Sequence, residues 1–123
     1  MGKSKELTNL NDILKPGLSA KVNLTLRVVT GDGRFLGPGR IELLELVGKL
    51  GSINKAAAQM KMSYKKAWSL IHQMNEMSRE PLVISKSGGE EGGGTVLTAY
   101  GEQVIQKYRQ IEDEINRHVV TIF

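Results

Sequence analysis

The stretch SYKKAWSLIHQMNEM, Ser63 to Met77, decides how the rest of the chain is read. With each residue set 100° round a helix from the last, Ala67, Leu70, Ile71 and Met74 fall on one narrow apolar stripe. Lys65, Lys66, Ser69, Gln73 and Glu76 take the opposite side, and Tyr64, Trp68, His72 and Asn75 lie on the flank between. One face is suited to a core. The other combines cations with hydroxyl and amide groups, the side chains that meet phosphates and base edges, although a solvated amphipathic helix also carries lysines outside. The neighbouring segments separate these readings.

Before this stretch, Ser52 is placed to cap a helix over Ile53 to Met60 whose Ala56, Ala57 and Ala58 allow close helix approach, and Ser63 caps the next. Only Lys61 and Met62 separate the two, the sequence form of a helix-turn-helix. Ile41, Leu44, Leu46, Val47 and Leu50 predict an earlier helix that follows a break at Gly37-Pro38-Gly39 and ends at Gly51. Upstream, KVNLTLRVV from Lys21 to Val29 alternates Val22, Leu24, Leu26 and Val28 with Asn23, Thr25 and Arg27, the pattern of a half-buried strand. Gly31-Asp32-Gly33 then turns it back through Arg34, Phe35 and Leu36. Residues 1–17 read as a loose arm, with Leu7, Leu10 and Leu14 on a short helix stopped by Pro16 and Gly17.

After it, Arg79-Glu80-Pro81 stops the helix, because the residue before a proline is driven from the helical region. Leu82 to Ser85 and Thr95 to Leu97 read as two strands. Ser87 to Gly94 is too glycine-rich to be regular, so the pair predicts a wing with a long flexible tip. Thr98 caps a last helix, about residues 98–120, in which Val104, Tyr108, Ile111, Ile115 and Val119 form a heptad-like seam. Its partner is either the domain's own core or a second copy of the helix, the latter preferred because the helix is longer than a small core needs. The fold class is therefore mainly α with small β: a winged helix-turn-helix over residues 18–123, with an N-terminal strand or hairpin and a long C-terminal dimerisation helix.

The chain's 123 residues suit one domain. No leader or long apolar run points away from the cytoplasm, and the absence of cysteine removes disulfides, zinc thiolates and cysteine nucleophiles together. Five cations stand against two carboxylates between Ser52 and Glu80, three of the net charges in a chain that totals +4. A polyanion partner fits that placement better than the total does. Catalysis fits poorly. His72 has no cysteine, no nearby aspartate and no second histidine until His118, Gly88 to Thr95 lacks the lysine of a phosphate loop, and Glu90 and Glu91 read as solubilising charges. We expect no enzyme, no cofactor, no metal site and no small-molecule ligand.

Several blocks resemble the ModE family of molybdate-responsive regulators, in its N-terminal DNA-binding domain, a LysR-like winged helix. They are Gly51-Ser52-Ile53 with Ala56-Ala57, Ser63-Tyr64-Lys65-Lys66-Ala67-Trp68, Met74-Asn75, the glycines 88–89 and 92–94, and Leu97-Thr98-Ala99-Tyr100-Gly101. The resemblance implies a homodimeric, double-stranded DNA-binding transcriptional regulator with its third helix in the major groove. It places Ser63, Tyr64, Lys65, Lys66, Ser69, His72 and Gln73 toward the groove, and Ser52 with Lys55 on a phosphate. It puts the last helix and the N-terminal strand in the dimer interface, which here means Val22, Leu24, Leu26, Val104, Tyr108, Ile111, Ile115 and Val119. Lys86 and Ser87 at the base of the wing join the DNA set, whereas Glu90-Glu91 stand where the family often has a basic residue. The family's molybdate response, which resides in further domains, does not carry over to a chain that ends at Phe123. A protein-interaction module using the acidic wing tip and last helix is the alternative, and Trp68 and Tyr64 remain open between stacking on DNA and covering the core margin. A small ligand sensor enclosed by the Val22 to Val28 strand and the long helices is a third reading, and no residue type marks it.

Overall fold

A computed structural model describes residues 8–89 and 92–123 of the chain, with side chains described outside 87–93. Its elements run β1 (Val28–Thr30), β2 (Gly33–Leu36), α1 (Pro38–Leu50), α2 (Ile53–Gln59), α3 (Tyr64–Met77), β3 (Val83–Gly89), β4 (Gly92–Leu97) and α4 (Ala99–Ile122), after a 3-10 turn at Leu10–Ile13. β1 and β2 form one antiparallel hairpin and β3 and β4 another. Three helices followed by the second hairpin and a long helix make the winged helix-turn-helix anticipated above.

Local chemistry sets each helix boundary. The Ser52 and Ser63 hydroxyls accept from the backbone N–H of Lys55 at 3.2 Å and of Lys66 at 3.0 Å, and the Thr98 hydroxyl accepts from that of Gly101 at 2.9 Å. These caps satisfy N–H groups that the first helical turn leaves without partners. Gly51 closes α1 in the left-handed region, φ 68°, where glycine has no Cβ to clash. The turn between α2 and α3 places Lys61 in the same region at φ 57°, a conformation that costs a side-chain-bearing residue about 1 kcal/mol.

The core lies where α1, α2, α3, the segment before β3 and α4 meet. Ile41, Leu44, Val47, Ala56, Ala67, Met74, Leu82 and Tyr108 are all buried there, and Leu70 is packed against them at the margin. Leu43, which lies between Leu50 and Val47 on the same face of α1 but was not named in the sequence run, is fully buried as well. Arg109 on α4 grips the Glu45 carboxylate of α1 through both ends of its guanidinium, at 2.7 and 3.3 Å, and reaches Glu112 at 2.8 Å. These acceptors hold the guanidinium more firmly protonated than usual.

The structure corrects several expectations. Gly37-Pro38-Gly39 begins α1 instead of breaking the chain, because proline at the first helical position loses no hydrogen bond and arrives with a helical φ. α3 stops at Met77, ahead of Arg79-Glu80-Pro81, with the Ser78 hydroxyl donating to the Met74 carbonyl at 2.8 Å. The strand over Lys21 to Val29 forms only from Val28, since the protomer offers residues 21–27 no partner ladder among the described residues. Val22, Leu26 and Val28 are nonetheless half-buried while Leu24 stays 50% exposed.

The glycine-rich wing, expected to be irregular, is instead a ladder. Lys86 pairs with Gly94 and Gly89 with Gly92, with a register shift between them. Backbone pairing needs no side chain, and a Cβ on Gly94 would stand 3.1 Å from the Gly51 carbonyl oxygen, so the close approach favours glycine. β4 also fastens to the α1–α2 turn, where the Thr95 N–H donates to the Gly51 carbonyl at 3.2 Å. The tip residues Glu90 and Glu91 lie outside the described residues, as do Leu7 and the Ser87 side chain.

Among the described residues of the arm, the Leu10 N–H donates to the Phe123 carbonyl at 2.8 Å. The seam of α4 divides. Tyr108 is 1% exposed and Val104 packs against the same core, so the first half of the seam is used inside the protomer. Ile111 and Ile115 remain 37% and 39% exposed, and Val119 is half-buried.

Candidate nucleic-acid interface

Ala67, Ile71 and Met74 anchor α3 in the core, which leaves Lys65, Lys66 and Gln73 exposed and Ser69 half-exposed on its outer face. Ser52, at the start of α2, lies near the start of α3: Ser52, Asn54, Tyr64, Ser85, Lys86 and Thr95 line one notch of about 280 Å³ between the helices and the wing. The capping bonds use acceptor capacity of the Ser52 and Ser63 hydroxyls and leave their protons free to donate. Lys55 and Lys86 are exposed beside the notch. Asn54 and Ser85 were not singled out in the sequence, because nothing in local pattern reports that α2 and β3 share a wall.

Trp68 and His72 stack on each other with ring centroids 4.9 Å apart and planes 7° from parallel. Trp68 is 48% exposed, and beneath it lies a depression of about 200 Å³ shared with Ile53, Ile71, Val83 and Thr95. It is thus not a sealed lid over the core margin, and its indole stays accessible on the side facing the wing. His72 Nε2 lies 3.9 Å from Glu76 in an exposed pair. Among the described residues no group of three or more histidines and carboxylates is arranged to hold a metal.

Two residues to which the sequence reading gave no role organise this surface. Asn75 ties α3 to the wing: its Oδ1 accepts from the N–H groups of Leu82 at 2.8 Å and Val83 at 3.3 Å, and its Nδ2 donates to the Val83 carbonyl at 2.9 Å. Arg40, in the first turn of α1, donates to the Arg34 carbonyl at 2.8 Å and to Gln73 Oε1 at 2.8 Å. Gln73 Nε2 in turn donates to Ser69 Oγ at 3.3 Å. Partial burial, and then the nearby Arg34 charge, lower the Arg40 pKa from its ordinary value. A lone arginine after Pro-Gly gave no local signal of a partner on α3. Arg27, Arg34, Arg40 and Lys66 border a groove of about 310 Å³ beside α3, which extends the basic surface beyond the segment where charge was counted.

Comparison with known proteins agrees with this architecture. The profile of the bacterial regulatory helix-turn-helix proteins of the lysR family matches residues 39–102, from the first turn of α1 into α4. The molybdenum transport protein ModE of Azotobacter vinelandii is 47% identical over 85 residues, 69% of this chain and 32% of that protein. The transcriptional regulator ModE of Haemophilus influenzae is 45% identical over 78 residues, 63% of this chain and 31% of that protein. The DNA-binding transcriptional dual regulator ModE of Escherichia coli is 42% identical over 91 residues, 74% of this chain and 34% of that protein. The chain therefore spans about a third of the length of these relatives. No helix among the described residues is long and apolar enough to cross a membrane. By the match across its helix-turn-helix and wing, the chain belongs to the lysR family of bacterial regulatory helix-turn-helix proteins.

Proposed function

We propose that the chain is the DNA-binding part of a transcriptional regulator, a homodimer that reads duplex DNA with α3 in the major groove and the wing alongside. The observation that carries this reading is the outer face of α3, where Lys65, Lys66, Ser69 and Gln73 stand clear of a core that holds the opposite stripe. Ser52, Lys55, Ser63, Tyr64 and Lys86 border the same surface, and His72 flanks it. Lysines beside phosphates release counterions and supply affinity that falls steeply with salt, while side chains at base edges supply discrimination. The names of the relatives in Escherichia coli and Haemophilus influenzae, a DNA-binding dual regulator and a transcriptional regulator, support the same assignment. The molybdenum transport named for the Azotobacter vinelandii relative belongs to a protein about three times as long and is not part of the proposal.

The dimer is supported by apolar surface left over after the core is filled. Ile111 and Ile115 on α4 are part-exposed, and Ile115 shares a small, mainly apolar depression with Leu24 and Leu26. Val22 and Val119 complete the interface as proposed, and Val104 and Tyr108 support it from within the core. Two copies related by a two-fold axis place their α3 helices on half-sites about 34–36 Å apart, or a multiple of that. The test is a gel shift with duplexes selected from random sequence, run on the wild type and on Lys65→Glu/Lys66→Glu. Binding that competitor DNA does not displace from selected sites, and that the double variant loses while keeping its oligomeric state, supports the regulator. Equal behaviour of the two proteins refutes it and favours a protein-interaction module on the same fold.

A further inference from the structure

Gln73 is an amide, and a free amide facing the major groove pairs in bidentate fashion with adenine, accepting from N6 and donating to N7. Here the acceptor is already engaged. The guanidinium of Arg40 has donors only, so the Gln73 atom 2.8 Å from Arg40 Nη2 is the oxygen, and the nitrogen faces away from it. That orientation follows from chemistry alone, since the reverse would set two donors against each other. Arg40 is held in turn by the Arg34 carbonyl at 2.8 Å and the Phe35 carbonyl at 3.4 Å, both on β2, so the hairpin fixes the guanidinium and the guanidinium fixes the amide. One proton of Gln73 Nε2 goes to Ser69 Oγ at 3.3 Å and the other is free. The hydroxyl of Ser69, having accepted, has its own proton to give.

We infer that Arg40 is a positioning residue that turns Gln73 into a donor-only reader, so that the position Gln73 faces selects guanine and discriminates against adenine's paired donor and acceptor. This rests on the DNA-binding reading given above. Guanine presents two acceptors in the major groove, N7 and O6, and cytosine presents only a donor there. With Lys65 and Lys66 on the same face, the outward groups of α3 from Lys65 to Gln73 are predominantly donors. The preference expected at the Gln73 position is therefore guanine first and cytosine last.

The experiment is selection from random duplex DNA, followed by competition binding with all four base pairs at each selected position, for wild type, Gln73→Ala, Arg40→Ala and Gln73→Glu. Gln73→Ala identifies the position, as the one whose preference flattens. At that position the wild type should favour guanine, and Arg40→Ala, which frees the amide to rotate, should shift the adenine-to-guanine ratio toward adenine by roughly tenfold. A merely structural Arg40 would change affinity for all sites together and leave that ratio where it was. Gln73→Glu keeps the contact to Arg40 and turns an acceptor outward, so its preference should move to cytosine or adenine, whether or not Arg40→Ala folds. A wild type that favours adenine there, an unchanged ratio in Arg40→Ala, or an unchanged preference in Gln73→Glu overturns the inference and leaves DNA binding intact. A wild type that enriches no sequence overturns both.

Discussion

Asn75 on α3 and Val83 on β3 bracket each other through their polar groups, the amide accepting from the Val83 N–H at 3.3 Å and donating to its carbonyl at 2.9 Å. The same oxygen accepts from the Leu82 N–H at 2.8 Å, and both Leu82 and Val83 are buried. One side chain thus substitutes for a missing strand at the edge of the wing. Buried backbone groups that lose their partners cost about 1–3 kcal/mol each. Asn75→Ala should therefore lower unfolding free energy by about 2–4 kcal/mol in urea titration, and it should loosen the wing against α3 even where the protein remains folded. A loss under about 1 kcal/mol would show that water replaces the amide without penalty.

Tyr108 gives a pH-dependent test. Its hydroxyl donates to the Leu26 carbonyl at 2.8 Å and its ring is buried. Burial first, and Glu112 second, raise its pKa above the ordinary 10.0, with Arg109 and Arg27 opposing. A folded-state pKa above the unfolded value means that the neutral phenol contributes stability fully below about pH 10 and loses it as pH rises through the folded-state pKa. Tyr108→Phe should cost about 1 kcal/mol at neutral pH through the lost hydrogen bond. Above pH 10 the gap between wild type and variant should narrow, which parallel chemical denaturation at pH 7 and pH 10.5 would measure. A gap that widens with pH would contradict the sign.

Gly101 sits inside the first turn of α4, where alanine would gain about 1 kcal/mol in helix propensity. A Cβ there, however, would overlap the Leu82 carbonyl oxygen and stand 2.7 Å from Leu97 Cδ1. The obstacle is backbone, which also accepts from the Thr98 N–H at 2.9 Å, so it cannot swing away cheaply. Overpacking of this kind costs about 1–3 kcal/mol or more. Gly101→Ala should thus be net destabilising, seen as a lower midpoint in thermal unfolding, and a raised midpoint would mean that the segment before β3 yields.

The exposed half of α4 provides the test of assembly. Leu24 and Ile115 face the shared depression outside the core. Leu24→Glu and Ile115→Glu should leave the circular dichroism spectrum and unfolding midpoint of the protomer near wild type while sedimentation shifts to the monomer. If both variants sediment as the wild type does, the proposed interface is elsewhere.

Much of the fold was legible because it depends on near neighbours. Ser52, Ser63 and Thr98 announce their helices within three residues, and the period of Ala67, Ile71 and Met74 announces which face is buried. What escaped depends on distance along the chain. Tyr108 fits the spacing of a seam as well as that of a core, and only the packing of α4 on α1 and on Leu26 assigns it to the core. The glycines of the wing looked irregular because their partners are backbone atoms, which a reading of side chains does not register. Arg40 and Gln73 stand 33 residues apart, and their contact exists only once β2, α1 and α3 are in place.

Gly51 joins three parts of the protomer at one residue: its left-handed φ ends α1, the cap of α2 follows directly, and its carbonyl receives the Thr95 N–H of β4. The wing therefore shares its fate with the helices and is not an appendage hung on them. Amide exchange at Thr95 should proceed only through the opening that frees α1 and α2 together, at a rate set by global unfolding. A protein built this way presents its helix-turn-helix and wing as one cooperative unit, so a partner that stabilises any one of these elements protects all of them.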